Sequence, residues 1–266
     1  MASESATTSS NSLDERFAAL RAAGRKALVC YITAGHPDRA ATIALMRGLE
    51  RAGADVLEVG VPFSDPLADG SVIQASSQVA LDGGMTLSDA LDVIAEANVG
   101  IPVVLFGYLN PFLAAGGALA DRLRDAGCAG VLVTDLPVGA DPELEARFAA
   151  DGLDFIRLVA PTTPPERIRE IARHGSGFVY LISRLGVTGT RDELPADLEQ
   201  TVARVRAETS LPICVGFGVS TPDQAARVAR LADGVVVGSA LVRAAGESVD
   251  AALALAAVLR KGIDEA

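Results

Sequence analysis

Eight short apolar runs, each followed by a stretch with helical spacing, constrain this chain more than any other feature. They cover residues 28–33, 54–60, 102–107, 130–135, 154–159, 178–183, 212–216 and 234–238. Short runs of β-branched and apolar residues bounded by turn formers read as buried strands. Between them apolar residues recur at i, i+3 and i+4, as in Leu87, Leu91 and Ile94, or in Val202 and Val205 with Pro212 as a stop before the next run. Strand then helix, repeated eight times, implies parallel pairing, with each helix serving as the crossover. The predicted fold class is α/β, a closed (β/α)8 TIM barrel in one domain. The length of 266 residues suits such a barrel, for which about 250 is usual.

A partial internal repeat supports this architecture. Ala52-Gly53-Ala54-Asp55, Ala126-Gly127-Cys128-Ala129-Gly130 and Leu231-Ala232-Asp233-Gly234 each close a helix and open a strand, with glycine expected as the left-handed cap. Their uneven spacing fits diverged βα units of one barrel rather than a solenoid or propeller. Residues 13–24 carry Leu13, Phe17 and Leu20 on one face, which predicts an additional N-terminal helix placed to cover the barrel's bottom. Residues 1–12, rich in Ser, Thr and Ala, read as a disordered tail, leaving 13–266 as the barrel domain. The tail has neither a basic start nor an apolar h-region, so the cytoplasm is the expected location.

Composition narrows the chemistry. A net charge of −11 with no block of Lys or Arg argues against a nucleic-acid groove or an anionic membrane surface. Half the residues are hydrophobic, yet no apolar run reaches the roughly 18 residues that span a bilayer, so these residues serve a core. Cys30, Cys128 and Cys214 lack metal-ligand spacing and sit in or beside apolar segments, as buried free thiols do. Two scattered histidines, His36 and His174, do not make a zinc or iron centre, and no metal site is expected. The only lysines are Lys26, before the first strand, and Lys261, near the C-terminus, so a Schiff-base lysine on a barrel strand cannot be built. Any bond cleavage must run on carboxylates.

Barrel enzymes react at the C-terminal ends of their strands, and three groups of residues gather at those ends. The first is acidic: Glu58 inside Val56-Leu57-Glu58-Val59-Gly60-Val61, then Asp65 and Asp69 in the following loop. A carboxyl in an apolar strand is expensive to desolvate, so its pKa should rise toward neutrality and suit it to acid–base work. Asp69 could fold back to accept a substrate N–H, although loop capping beside Pro and Gly is the alternative for Asp65 and Asp69 alike. The second group is aromatic: Tyr31, Tyr108 and Tyr180, with Phe63, Phe106 and Phe217. They read either as a flat apolar pocket or as simple filling of the barrel mouth. The third is glycine: Gly186-Val187-Thr188-Gly189, Gly216-Phe217-Gly218 and Gly238-Ser239. Backbone amides after the seventh and eighth strands commonly hold a phosphate, and tight turns are the plainer reading.

The segment Leu57–Gly70, LEVGVPFSDPLADG, closely resembles the signature of the tryptophan synthase α subunit family. Asn110-Pro111 after Tyr108, the run Ser183–Gly189, Gly216-Phe217-Gly218 and Gly238-Ser239 repeat that family's pattern in the same order. The resemblance implies a lyase of tryptophan biosynthesis that cleaves indole-3-glycerol phosphate to indole and glyceraldehyde 3-phosphate. By motif, Glu58 looks like the acid/base residue, Asp69 like the carboxylate that binds the indole N–H, and Tyr180 like the side chain that positions Glu58. Tyr31, Ile73, Phe106, Leu132 and Phe217 look like walls of the indole slot, with Tyr108 and Thr188 also beside the substrate. Gly189, Gly218, Gly238 and Ser239 look like the phosphate cradle.

The same resemblance implies that the loop with Asp65 and Pro66 and the 183–193 loop close over the substrate. It further implies a β subunit that holds pyridoxal phosphate in an α2β2 heterotetramer and receives the indole. Cys30-Tyr31, Phe106-Gly107 and Ser71, where proline is frequent, are departures from the family pattern. Two alternatives stand beside this reading: another phosphate-binding barrel isomerase or epimerase, and a subunit that chiefly activates its β partner.

Overall fold

The computed structural model describes residues 12–182, 195–216 and 218–266. Its described elements run in order α1 (Leu13–Ala22), β1 (Ala27–Thr33), α2 (Arg39–Arg51), β2 (Val56–Gly60), α3 (Ser71–Asp82), α4 (Leu87–Ala97) and β3 (Val103–Gly107). They continue with α5 (Leu109–Ala115), a 3-10 turn, α6 (Leu119–Asp125), β4 (Gly130–Val133), α7 (Pro142–Ala150), β5 (Asp154–Val159), α8 (Pro165–Arg173) and β6 (Val179–Ile182). The chain ends with α9 (Leu198–Arg206), β7 (Ile213–Gly216), α10 (Pro222–Leu231), β8 (Gly234–Val237), α11 (Ser239–Glu247) and α12 (Val249–Asp264). The eight strands pair in parallel in chain order, and β8 returns to β1 to close the barrel. All eight predicted strands are present, within two residues at each end.

Strand side chains sort into two apolar bodies by alternation. Leu28, Cys30 and Ile32 of β1, Leu57 and Val59 of β2, and Val103 and Leu105 of β3 face outward into the layer shared with the helices. Ala27, Val29, Val56, Val104, Leu132, Ile156, Cys214 and Val236 face inward and fill the barrel. A strand buried on both faces has no polar side to show, which is why these runs read as continuously apolar. Cys30, Cys128 and Cys214 are buried free thiols.

The predicted N-terminal helix ends at Ala22, two residues early, because Gly24 turns the chain at φ +67°. Leu13, Phe17 and Leu20 belong to the barrel-filling cluster, and the Phe17 and Phe178 rings lie 5.7 Å apart. Phe178 precedes β6, so α1 closes the barrel at the N-terminal ends of its strands. The tail expected over residues 1–12 lies outside the described residues, except for Ser12, which precedes α1.

The internal repeat is real in two copies and altered in the third. Gly53 (φ +98°) and Gly127 (φ +82°) are left-handed, as expected, whereas Ala232 is extended at φ −116° and leads straight into β8. What the first and third copies share is the acid. Asp55 Oδ2 accepts the Leu28 amide of β1 at 2.9 Å, and Asp233 Oδ2 accepts the Ile213 amide of β7 at 2.8 Å. Each also meets an arginine, Arg260 and Arg206 respectively. An acid just before a strand thus satisfies an otherwise orphaned amide of the preceding strand.

Candidate active site

Glu58 is on the inward face of β2, two residues beyond Val56 and in register with Tyr31 of β1. Its exposure is 0%, and neither carboxylate oxygen has a hydrogen-bond partner among the described residues. Burial alone pushes its pKa up to about 8, because an ionised carboxylate would lose its hydration with nothing in exchange. At pH 7 roughly nine in ten molecules therefore hold Glu58 as a neutral acid. Such a group can donate a proton and take it back.

The loop after β2 brings the second acid to the same end. Asp69 is half-buried, and its Oδ2 accepts the Tyr108 hydroxyl at 2.9 Å. Burial raises its pKa, and the Tyr108 bond opposes that rise by stabilising the charged form. Asp65, in contrast, is exposed and takes the Ser64 hydroxyl at 2.6 Å within the loop. Among the described residues its side chain bonds only within the loop. Gly70 caps α3 and makes Ser71 its first residue, a position that tolerates proline because the amide there has no helical partner. That explains the exchange of proline for serine at residue 71.

The aromatics pack together at the mouth of the barrel, where they would wall an apolar slot. Tyr31 meets the Phe106 ring edge-on at 5.2 Å, and Tyr31, Ile73 and Val242 make one apolar cluster with Phe106 and Val72 against it. Leu132 is in register with Phe106 and completes the inward wall, with Tyr180 packed on the same cluster. Two inward-facing glycines make room for tyrosine hydroxyls. A Cβ on Gly60 would stand 2.1 Å from the Tyr31 hydroxyl, and one on Gly216 would stand 2.4 Å from that of Tyr180. Each tyrosine leans along its strand over a glycine of the next one, and both remain protonated because burial drives their pKa values upward.

Glycines line the far side. Gly218 adopts φ +67° after β7, and Gly238 caps α11 with Ser239 as its first, buried residue. The first amides of a helix have no internal acceptor and present a partial positive charge, so the start of α11 can hold an anion. A Cβ on Gly238 would lie 3.6 Å from Tyr31 Cβ, which puts this helix start beside the slot. Thr188, Gly189 and Phe217 lie outside the described residues.

A buried neutral acid, a second acid at the loop and a glycine-lined helix start thus gather at one end of the barrel, and comparison with known proteins shows the family to which the chain belongs. A sequence model of the tryptophan synthase alpha chain matches residues 17–262. The chain belongs to the tryptophan synthase alpha chain family.

Tryptophan synthase alpha chains of Chloroflexus aggregans and Citrifermentans bemidjiense are 48% and 49% identical to it over 236 and 234 residues. Each match covers 87% of this chain and 88% of the relative. Among solved structures, Mycobacterium tuberculosis tryptophan synthase superposes with a TM-score of 0.89 at 39% identity, covering 94% of this chain and 97% of that one. The alpha subunit of tryptophan synthase from Legionella pneumophila also gives 0.89, at 35% identity over 96% and 99%.

The family is one of lyases in tryptophan biosynthesis, and membership in it removes the support for a barrel isomerase or epimerase. Val242 of α11 is the slot residue that sequence reasoning missed; a lone valine with helical spacing carries no sign of which end of the barrel it meets. Gly60, the seat of the Tyr31 hydroxyl, was visible only as part of a motif.

Proposed function

We propose that the chain cleaves indole-3-glycerol phosphate to indole and glyceraldehyde 3-phosphate, with Glu58 moving the proton. The observation that carries this reading is a fully buried carboxyl facing the barrel interior, with both oxygens free of hydrogen bonds among the described residues and a pKa of about 8. In the first half, neutral Glu58 protonates indole C3, and the positive charge that develops on the ring is stabilised by Asp69 through the indole N–H. In the second, the Glu58 carboxylate takes the proton of the glycerol hydroxyl next to the ring. The carbon–carbon bond then breaks, its electrons restore the indole, and the aldehyde forms. Glu58 ends as it began, protonated.

Tyr31, Ile73, Phe106, Leu132 and Phe217 would hold the indole, with Tyr108 and Thr188 beside the substrate and Tyr180 positioning Glu58. Amides at Gly189, Gly218, Gly238 and Ser239 would grip the phosphate. Closure of the loops with Asp65 and Thr188 would exclude water. Residues 13–266 form the catalytic barrel in this reading, acting in the cytoplasm with a β subunit, in an α2β2 assembly, that binds pyridoxal phosphate and receives the indole. Placing that cofactor in the partner agrees with the lysines: Lys26 precedes β1 at the bottom of the barrel, and Lys261 is exposed on α12.

Glu58→Gln keeps the shape and removes the shuttle. It should abolish indole release from indole-3-glycerol phosphate while glycerol phosphate still binds; near-normal turnover would overturn the proposal. Gly218→Val places a β-branched residue at φ +67° and crowds the cradle, so it should weaken glycerol phosphate binding at least tenfold. Unaltered affinity would show the cradle to be elsewhere.

A further inference from the structure

Residues 62–69 hold one of the two acids, yet the loop is short of anchors of its own. Leu67 is 88% exposed, and Ser64, Asp65 and Ala68 also face solvent. Its internal bonds are local: Leu67 N to Asp65 O at 2.8 Å, Asp69 N to Pro66 O at 3.1 Å, and Gln74 Nε2 to Asp69 O at 2.9 Å. Among the described residues, both hydrogen bonds that carry this loop onto a neighbouring strand end go to Tyr108. The Ala68 amide donates to the Tyr108 hydroxyl at 3.0 Å, and that hydroxyl donates onward to Asp69 Oδ2 at 2.9 Å. Phe63, at the other end of the loop, stacks on the Tyr108 ring at 4.9 Å and 26°. One side chain therefore meets the loop at its entrance and at its catalytic end.

We infer that Tyr108, besides lying near the substrate, is the positioning residue for Asp69, fixing one carboxylate oxygen so that the other points its lone pairs at the indole nitrogen. This rests on the role of Asp69 proposed above. The geometry is suited to it. Tyr108 is itself only 4% exposed at the end of β3 and caps α5, so its hydroxyl is held by a rigid element rather than by a loop. The Ala68 amide, donating into the same oxygen, polarises the hydroxyl toward Asp69 and makes it the better donor. The tyrosine stays protonated because burial and the neighbouring Asp69 charge both raise its pKa. A carboxylate bound on one oxygen has lost most of its freedom to rotate before substrate arrives, and orientation secured in advance lowers the barrier.

Tyr108→Phe retains the stacking on Phe63 and removes both hydrogen bonds. Indole release should be measured for the full chain, Tyr108→Phe, Asp69→Asn and the double variant, each as kcat/KM across pH. Tyr108→Phe should lower kcat/KM about tenfold or more, as expected for loss of a bond to a charged group. It should also move the acidic limb of the profile to higher pH, because that bond favours ionised Asp69. In the Asp69→Asn background the same change should have almost no further effect. An equal loss in both backgrounds, or an acidic limb that stays in place, would overturn the positioning role while leaving Asp69 in its own. Full activity of Asp69→Asn alone would instead overturn the reading of the site, and the inference with it.

Discussion

A carboxyl group with no hydrogen-bond partner inside a barrel is destabilising whenever it must ionise, and among the described residues Glu58 is such a group. Its pKa rises from 4.5 to about 8 on folding. Below 4.5 it is protonated in both states and makes no difference to stability. Between the two values the folded chain keeps a proton that the unfolded chain releases, so stability falls as pH rises, and above 8 the loss is complete. Glu58→Gln should therefore stabilise the fold little at pH 5 and progressively more toward pH 9, by on the order of a few kcal/mol, seen as a growing rise in melting temperature. Thermal unfolding at pH 5, 7 and 9 checks this; a gain independent of pH would show that Glu58 ionises normally. In the proposed mechanism the same ionisation sets the alkaline side of catalysis. Because the neutral acid starts the reaction, kcat/KM should fall as pH passes about 8. The proposed mechanism needs Asp69 ionised, and its pKa is also raised, so the acidic limb should lie above the usual aspartate range.

At the scale of elements, the barrel divides its labour along the strand axis. The C-terminal ends carry Glu58, the slot and the helix start of α11, while α1 closes the opposite end. Phe17→Ala removes a ring that is 4% exposed and packed on Phe178. It should lower stability by about 3–5 kcal/mol through the cavity left behind. Because the proposed site is at the other end, KM for indole-3-glycerol phosphate should be unchanged at a temperature where the variant is folded. A raised KM would mean that the packing of α1 reaches the slot. The glycine–tyrosine diagonals on β1–β2 and β6–β7 illustrate a second element-level device, in which two strands share the space of one side chain at the mouth.

For the whole molecule, closure depends on ties between the ends of the chain and its first strands. Arg260, on the last helix, reaches Asp55 Oδ2 at 3.0 Å and the Lys26 carbonyl at 3.0 Å, and it also meets Asp264. Asp55 in turn accepts the Leu28 amide. The pair is buried, with side-chain exposures of 8% and 5%. Asp55→Ala leaves both the amide and the guanidinium short of an acceptor, a loss of about 3–5 kcal/mol. Urea unfolding should show it as a lower midpoint with unchanged turnover per folded molecule; an unchanged midpoint would mean that water or Asp264 replaces the carboxylate fully.

The eight strands were legible because each is buried on both faces, so Val, Ile and Leu run without interruption, and a carboxylate among them, Glu58, stands out at once. The glycines at the strand ends were legible for a similar reason: few residues tolerate φ +67° as at Gly218 or crowd so closely to a neighbour as Gly216. What lies between distant segments was not. Nothing in the order of residues says that Tyr108 reaches Asp69 across 39 positions, that Val242 joins Tyr31 and Ile73, or that Arg260 returns to Asp55 across 205. Local pattern records only whether a residue is to be buried and with what backbone shape. Which side chain meets which is decided when the barrel closes, since closure alone sets the register that brings β8 beside β1 and the strand-end loops to one mouth.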